Sequence, residues 1–219
     1  MNAFLATLGD NWHDFLRAFT TTVELFLLGA AGATVLGTLL GAMRVSPVPA
    51  LRAFGTTYVQ LIRNTPLTLV FALLVFAVPK LDVNIDYFPS AVIALIAYTS
   101  AFVCEVVRSG VNTVPPGQAE AARALGMSFG QVLATVVLPQ AFRAIVPPLV
   151  NVYNALLKNT TVAAGFSVFE AGAIPAYMSE RGENQIYVLL WIAVGFLILV
   201  VPLILLQRFL ERRLAVSAA

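Results

Sequence analysis

The sequence predicts an all-α membrane protein with five transmembrane helices. Three observations carry that prediction. Of its 219 residues 59% are hydrophobic and 11% charged, and the mean hydropathy is +0.87; an ordinary soluble domain carries about 25% charged residues. The apolar residues fall into five runs of roughly 20, the length a helix needs to cross a hydrocarbon core about 30 Å thick. No Ser/Gly-rich linker separates the runs, so residues 1–219 read as one transmembrane domain.

Residues 1–17 are polar enough to lie outside the bilayer, with a short interfacial helix around Trp12 and Phe15. They lack the basic segment and cleavage site of a secretory leader. The first span is predicted over residues 19–43, where Gly29, Gly32, Gly37 and Gly41 permit close helix packing in lipid. Arg44 and a short loop with Arg52 follow. The second span covers 56–78, with Arg63, Asn64, Thr65 and Pro66 in its first third. The third covers 88–107; Glu105 and Arg108, three apart, share a face at its end. The fourth covers 144–166 and is interrupted by Lys158-Asn159-Thr160-Thr161. The fifth covers 187–206. Trp12, Tyr177, Tyr187 and Trp191 suit interfacial anchoring.

Between the third and fourth spans lies a charged stretch, 115–140, with a different grammar. Pro115, Pro116 and Gly117 end the preceding helix. Gln118 to Leu125 are strong helix formers, with Glu120 in the first turn. Gly126 stands where a left-handed C-terminal cap belongs. Ser128 and Gln131 have capping-box spacing, which starts a second helix at Phe129; Pro139 is expected to end it. Leu125, Phe129, Val132 and Val136 fall on one helical stripe. The result is a helix–Gly–helix elbow.

Charge places the elbow. Arg44, Arg52, Arg108, Arg123, Arg143, Arg208, Arg212 and Arg213 fall in the loop after span one, the elbow and the tail. The other side holds Arg17, Lys80 and Arg181 against Asp10, Asp14, Asp82, Asp86, Glu180 and Glu183. The positive-inside rule puts the amino terminus outside, and the elbow and carboxyl terminus in the cytoplasm. The chain has no P-loop, one cysteine (Cys104) and one histidine (His13), so no internal disulfide, zinc framework or ATP site of that kind is expected. Cys104 reads as a buried small residue and His13 as a surface one.

Glu120-Ala121-Ala122, three residues, then Gly126 resembles the E-A-A-x-x-x-G signature of the permease subunits of bacterial ATP-binding-cassette (ABC) importers. MRVSPV (43–48), RNTPLTLV (63–70), residues 97–128, LPQAFRAIVPPLVN (138–151) and LKNTT (157–161) look like the polar amino acid branch. They are similar to the histidine/glutamine permeases, and most of all to glutamate permeases of the actinobacterial kind. The resemblance covers nearly the whole chain. It implies the type I ABC importer permease fold in a bacterial plasma membrane. It also implies a second permease subunit, identical or related, an external solute-binding protein, and a cytoplasmic ATPase that holds ATP and magnesium. This chain would carry no cofactor, bind no nucleic acid and catalyse nothing itself. Where many members have Asp-Thr-Ser after the fourth-span lysine, this chain has Asn159-Thr160-Thr161; losing that carboxylate disfavours a basic substrate.

The resemblance makes the 115–140 stretch the coupling loop, with Glu120, Ala121, Ala122, Leu125, Gly126 and Phe129 as the ATPase-contacting set. Ionisable groups at membrane depth are costly and point to function. Asn64, Thr65, Ser100, Glu105, Lys158, Asn159, Thr160 and Thr161 are accordingly the candidate lining of a path for a polar amino acid. The alternative is structural: Lys158 paired with Glu105, and the threonines bonded back to their own helix. A self-contained secondary transporter or channel is the rival function; it predicts an internal repeat, and none stands out.

Overall fold

The computed structural model describes residues 3–214, and these are helical apart from turns and short connections. A short helix α1 (Ala3–Asp10) leads into α2 (Trp12–Val45). At about 1.5 Å per residue, the 34 residues of α2 exceed a bilayer core. α2 packs along α5 (Tyr87–Asn112) through the predicted glycines. A Cβ on Gly37 would press on Val103 and lie 2.8 Å from the Ser100 carbonyl oxygen; one on Gly41 would lie 2.8 Å from Val107. At Gly37 a Cβ would meet backbone, so the two helices would have to move apart there.

The expected second span is broken. α3 (Pro49–Arg63) and α4 (Leu67–Ala72), with its π and 3-10 extension to Leu81, meet at 102°. Pro66 lacks an N–H and restricts Thr65. Asn64 Nδ2 and Thr65 Oγ1 donate back to the carbonyls of Gln60 (2.7 Å) and Leu61 (2.8 Å), capping the first helix where the second turns away. Arg52, expected in a loop, lies on α3 because Pro49 opens a helix there.

The elbow comprises α6 (Pro116–Ala124) and α7 (Phe129–Val132), joined by Gly126 at φ +85°. The capping box is formed: Gln131 N–H donates to Ser128 Oγ (3.4 Å), and Ser128 N–H donates to Gln131 Oε1 (2.8 Å). Pro139 does not end the helix. A π-turn at Leu133–Val137 carries α7 into α8 (Leu138–Asn159), and a 3-10 turn continues to Phe166. Pro139 sits at the second position of α8, and the wider π-turn accommodates a residue that cannot donate to the preceding ladder. α9 (Ile174–Glu180) and α10 (Gln185–Leu214) complete the fold. Among the described residues four helical segments are long and apolar enough to span, and the bent pair makes five.

The largest buried cluster sits where α2, α4, α5 and α8 meet, around Leu25, Phe71, Leu95 and Leu156. A second, around Phe15, Ile174, Met178 and Val188, fastens α9 and the start of α10 to α2. α10 buries only Val188 and leaves Leu189, Leu197, Ile198 and Leu205 exposed. Trp191 explains how its start is held: its Nε1–H donates to the Phe4 carbonyl (2.8 Å), and its ring stacks on Phe4.

Candidate functional site

The elbow presents an uneven apolar surface. Leu125 is 84% exposed and Phe129 70%, whereas Val132 is buried. The predicted single stripe is therefore split: the left-handed turn at Gly126 ends α6 at Ala124, so Leu125 is not in register with α7. Glu120 is exposed and lies in the second turn of α6, since Pro116 opens the helix two residues earlier than expected. It forms no ion pair with Arg123 among the described residues. Ala121 is exposed and Ala122 buried, so the helix rests on its Ala122 side. Open space surrounds Gly126.

A charge cluster gathers at the elbow-side end of α5. Glu105 accepts from Arg44 of α2 at 2.6 Å and from Arg108 at 3.0 Å, and Arg63 of α3 lies 3.3 Å away. The expected alternative pairing of Lys158 with Glu105 is overturned: three guanidinium groups already surround that carboxylate, and Lys158 is exposed beside Ala193, Phe196 and Leu197 of α10. The cluster carries three positive charges against one negative. Its exposed members, Arg63 and Arg108, line a cavity of about 370 Å³ with Ser109 and Thr113.

A second cavity, about 310 Å³, lies between α5 and α8. Tyr98, Thr99, Phe102, Asn151 and Asn159 line it. The Thr99 hydroxyl is buried and has no hydrogen-bond partner among the described residues. The two cavities adjoin through Phe102, whose ring lies under the Arg63 guanidinium at 5.6 Å.

The other candidate path residues separate. Ser100 is fully buried, donates to the Ala97 carbonyl (2.9 Å) and bonds Tyr58, so it locks α5 to α3. Thr160 and Thr161 donate to the carbonyls of Leu157 (2.8 Å) and Lys158 (2.7 Å), as the structural alternative expected. Asn64 and Thr65 cap α3 at the break. Sequence reasoning missed Arg44, Arg63, Thr99 and Asn151. Arg63 was legible as an ionisable residue inside an apolar run; the other three needed the packing of three helices.

Glu170, which is not among the candidate residues, is fully buried between the 3-10 turn and α9. Burial pushes its carboxyl up to about 7, although the Gly172 N–H donates to it at 2.7 Å.

The family described as binding-protein-dependent transport system inner membrane component matches residues 33–216. The glutamate transport system permease protein of Corynebacterium efficiens is 42% identical over 99% of this chain and all of its own length. The L-cystine transport system permease protein of Bacillus subtilis is 35% identical over 88% of this chain and 83% of its own. Among solved structures, an amino acid ABC transporter with histidines superposes with a TM-score of 0.90 at 26% identity, covering 96% of this chain and 98% of that one. The family matches most of the chain, the superposition covers nearly all of it, and the relatives are transport permeases rather than enzymes; the chain belongs to the binding-protein-dependent transport system inner membrane component family, the multi-pass permease subunits of ABC importers.

Proposed function

We propose that this permease imports a polar amino acid, and that the substrate is glutamate. The observation that carries the reading is the surplus of positive charge at the two adjoining cavities. Arg63 and Arg108 line the first, and Tyr98, Asn151 and Asn159 line the second. Guanidinium groups bind carboxylates through paired N–H donors. The side-chain amides suit an α-amino acid backbone. No carboxylate lines the second cavity to attract a basic side chain. The glutamate permease relatives, 42% identical along their whole length, support the same substrate.

In this reading the elbow is the coupling loop, with the Arg-rich loops and carboxyl terminus in the cytoplasm. Leu125 and Phe129, exposed to water in the isolated chain, insert into a groove of the ATPase. ATP closure of two ATPases brings two elbows together and shifts the spans between outward and inward openings. A second permease subunit and an external solute-binding protein complete the importer. Lys158 belongs to the path through its membrane-depth charge, with Asn159 next to it in the chain.

The test is copurification with the ATPase, then reconstitution with the binding protein and uptake from a panel of labelled amino acids. ATP-dependent glutamate uptake is expected. Uptake by this chain alone, driven by an ion gradient, would overturn the reading. Lys158→Met refines it: intact assembly with altered selectivity is expected, and loss of assembly would make the lysine structural.

A further inference from the structure

Glu170 is buried without a cation. Its Oε1 accepts from the Gly172 N–H at 2.7 Å, and its Oε2 lies 3.1 Å from Thr22 Oγ1 of α2. Thr22 is itself fully buried. Its oxygen also accepts from the Ala171 N–H at 3.0 Å and lies 3.1 Å from the Ala18 carbonyl. A hydroxyl has one proton and two lone pairs. With Glu170 ionised, two acceptors, the carboxylate and the Ala18 carbonyl, compete for one Thr22 proton. With a proton on Oε2 every bond is made: Glu170 donates to Thr22, and Thr22 donates to Ala18. The count of hydrogens therefore favours the neutral acid.

The neighbours supply no counter-charge. The ionisable groups flanking Thr22 on α2 are Arg17, whose guanidinium stacks over the Phe169 ring, and Glu24. On α9 they are Tyr177, which bonds Arg181, and Glu180; on α8 the nearest in sequence is Lys158. None is hydrogen-bonded or ion-paired to Glu170 among the described residues. The site is also close-fitting. A Cβ on Gly172 would strike the Glu170 carboxyl and lie 3.0 Å from Thr161, so the carboxyl sits one residue behind the Lys158–Thr161 motif.

We propose that Glu170 is a proton-binding site: in its neutral form its O–H donates to Thr22 and ties residues 167–184 to α2, and loss of the proton releases that segment. Burial brings the titration to about 7, within the range the cell meets. When Glu170 ionises, a fully buried charge is left without a cation among the described residues, and the segment opens to hydrate it. The ligand is a proton taken from the side on which 167–184 lies.

The experiment is hydrogen–deuterium exchange of the full chain in lipid nanodiscs from about pH 5.5 to about pH 8.5, each rate divided by the intrinsic base-catalysed rate. In the wild type, protection of 167–180 is expected to fall by up to about tenfold per pH unit as pH rises to the midpoint at about 7, and to level off above it. Glu170→Gln, whose amide donates to Thr22 as the acid does, should be protected equally at every pH. Thr22→Val, lacking the hydroxyl, should be poorly protected throughout. Uniform wild-type protection, or the wild-type pH profile in either variant, overturns the proposal. A carboxylic acid carbonyl band in the wild-type infrared spectrum that disappears through the same midpoint needs no variant, and its absence at the acid end also overturns it. Neither readout uses uptake, so the result stands apart from the choice of substrate.

Discussion

Glu105→Gln tests the charge cluster most directly. Gln keeps one acceptor oxygen and turns an NH₂ toward three guanidinium groups. The structure ranks the losses. The Arg44 side chain is 12% exposed and its bond to Glu105 is 2.6 Å, so this charge-assisted bond is worth roughly 1.5–3 kcal/mol. Arg63 and Arg108 are 47% and 38% exposed, and each pair contributes about 0–1 kcal/mol after screening by water. The whole substitution should cost about 1.5–5 kcal/mol. The assay is a double-mutant cycle read by chemical denaturation in mixed micelles, crossing Glu105→Gln with Arg44→Met and with Arg63→Met. Coupling of roughly 1.5–3 kcal/mol is expected with Arg44 and under about 1 kcal/mol with Arg63. Equal couplings, or a larger one with Arg63, would refute the burial argument.

Three further outcomes follow from the same geometry. Folded Glu170 holds its proton up to about 7 against an ordinary 4.5. Below both values the folded and unfolded chains are equally protonated, and between them the folded chain binds more protons. At about 1.4 kcal/mol per pH unit, stability should therefore fall by about 3 kcal/mol as pH rises through that window and then level off. Denaturation of wild type and Glu170→Gln across the window checks this; the variant should stay flat. Gly126→Asp forces a side chain into φ +85° where space is open, costing about 1 kcal/mol locally. It should leave the chain in the membrane while ATP hydrolysis in the assembled importer no longer drives uptake; normal uptake would count against coupling through the elbow. Gly37→Val drives Cβ into Val103 and toward the Ser100 carbonyl and should cost roughly 1–3 kcal/mol by overpacking, read as a lower thermal midpoint. Gly9→Ala, with open space around it, is the control.

Local rules made much of the fold legible. Hydropathy located the apolar runs, Gly126 and the Ser128–Gln131 box shaped the elbow, and the glycine series anticipated the α2–α5 seam. The misses lie where two local rules compete or where three helices meet. Pro139 signals a stop, yet a π-turn absorbs it. Arg63-Asn64-Thr65-Pro66 sits inside an apolar run, yet the proline and two back-bonding side chains bend that run through 102°. Glu105 was visible as a buried charge, but its partners come from positions 61 and 42 residues earlier in the chain. Spacing along one helix cannot announce such pairs. Glu170 was hidden by its apolar neighbours, since its burial depends on α2 closing over it.

The π-turn at Leu133–Val137 has a mechanical meaning. Because the helix does not stop at Pro139, Phe129 and Asn159 lie on one helical rod of about 45 Å. A push at the water-facing end reaches the polar cavity without crossing a loop that could dissipate it. The rod is stiff along its axis but has two soft joints, the wide turn at 133–137 and the paired prolines 147–148. It can thus deliver thrust while yielding sideways, much as a connecting rod turns the stroke of one part into the swing of another.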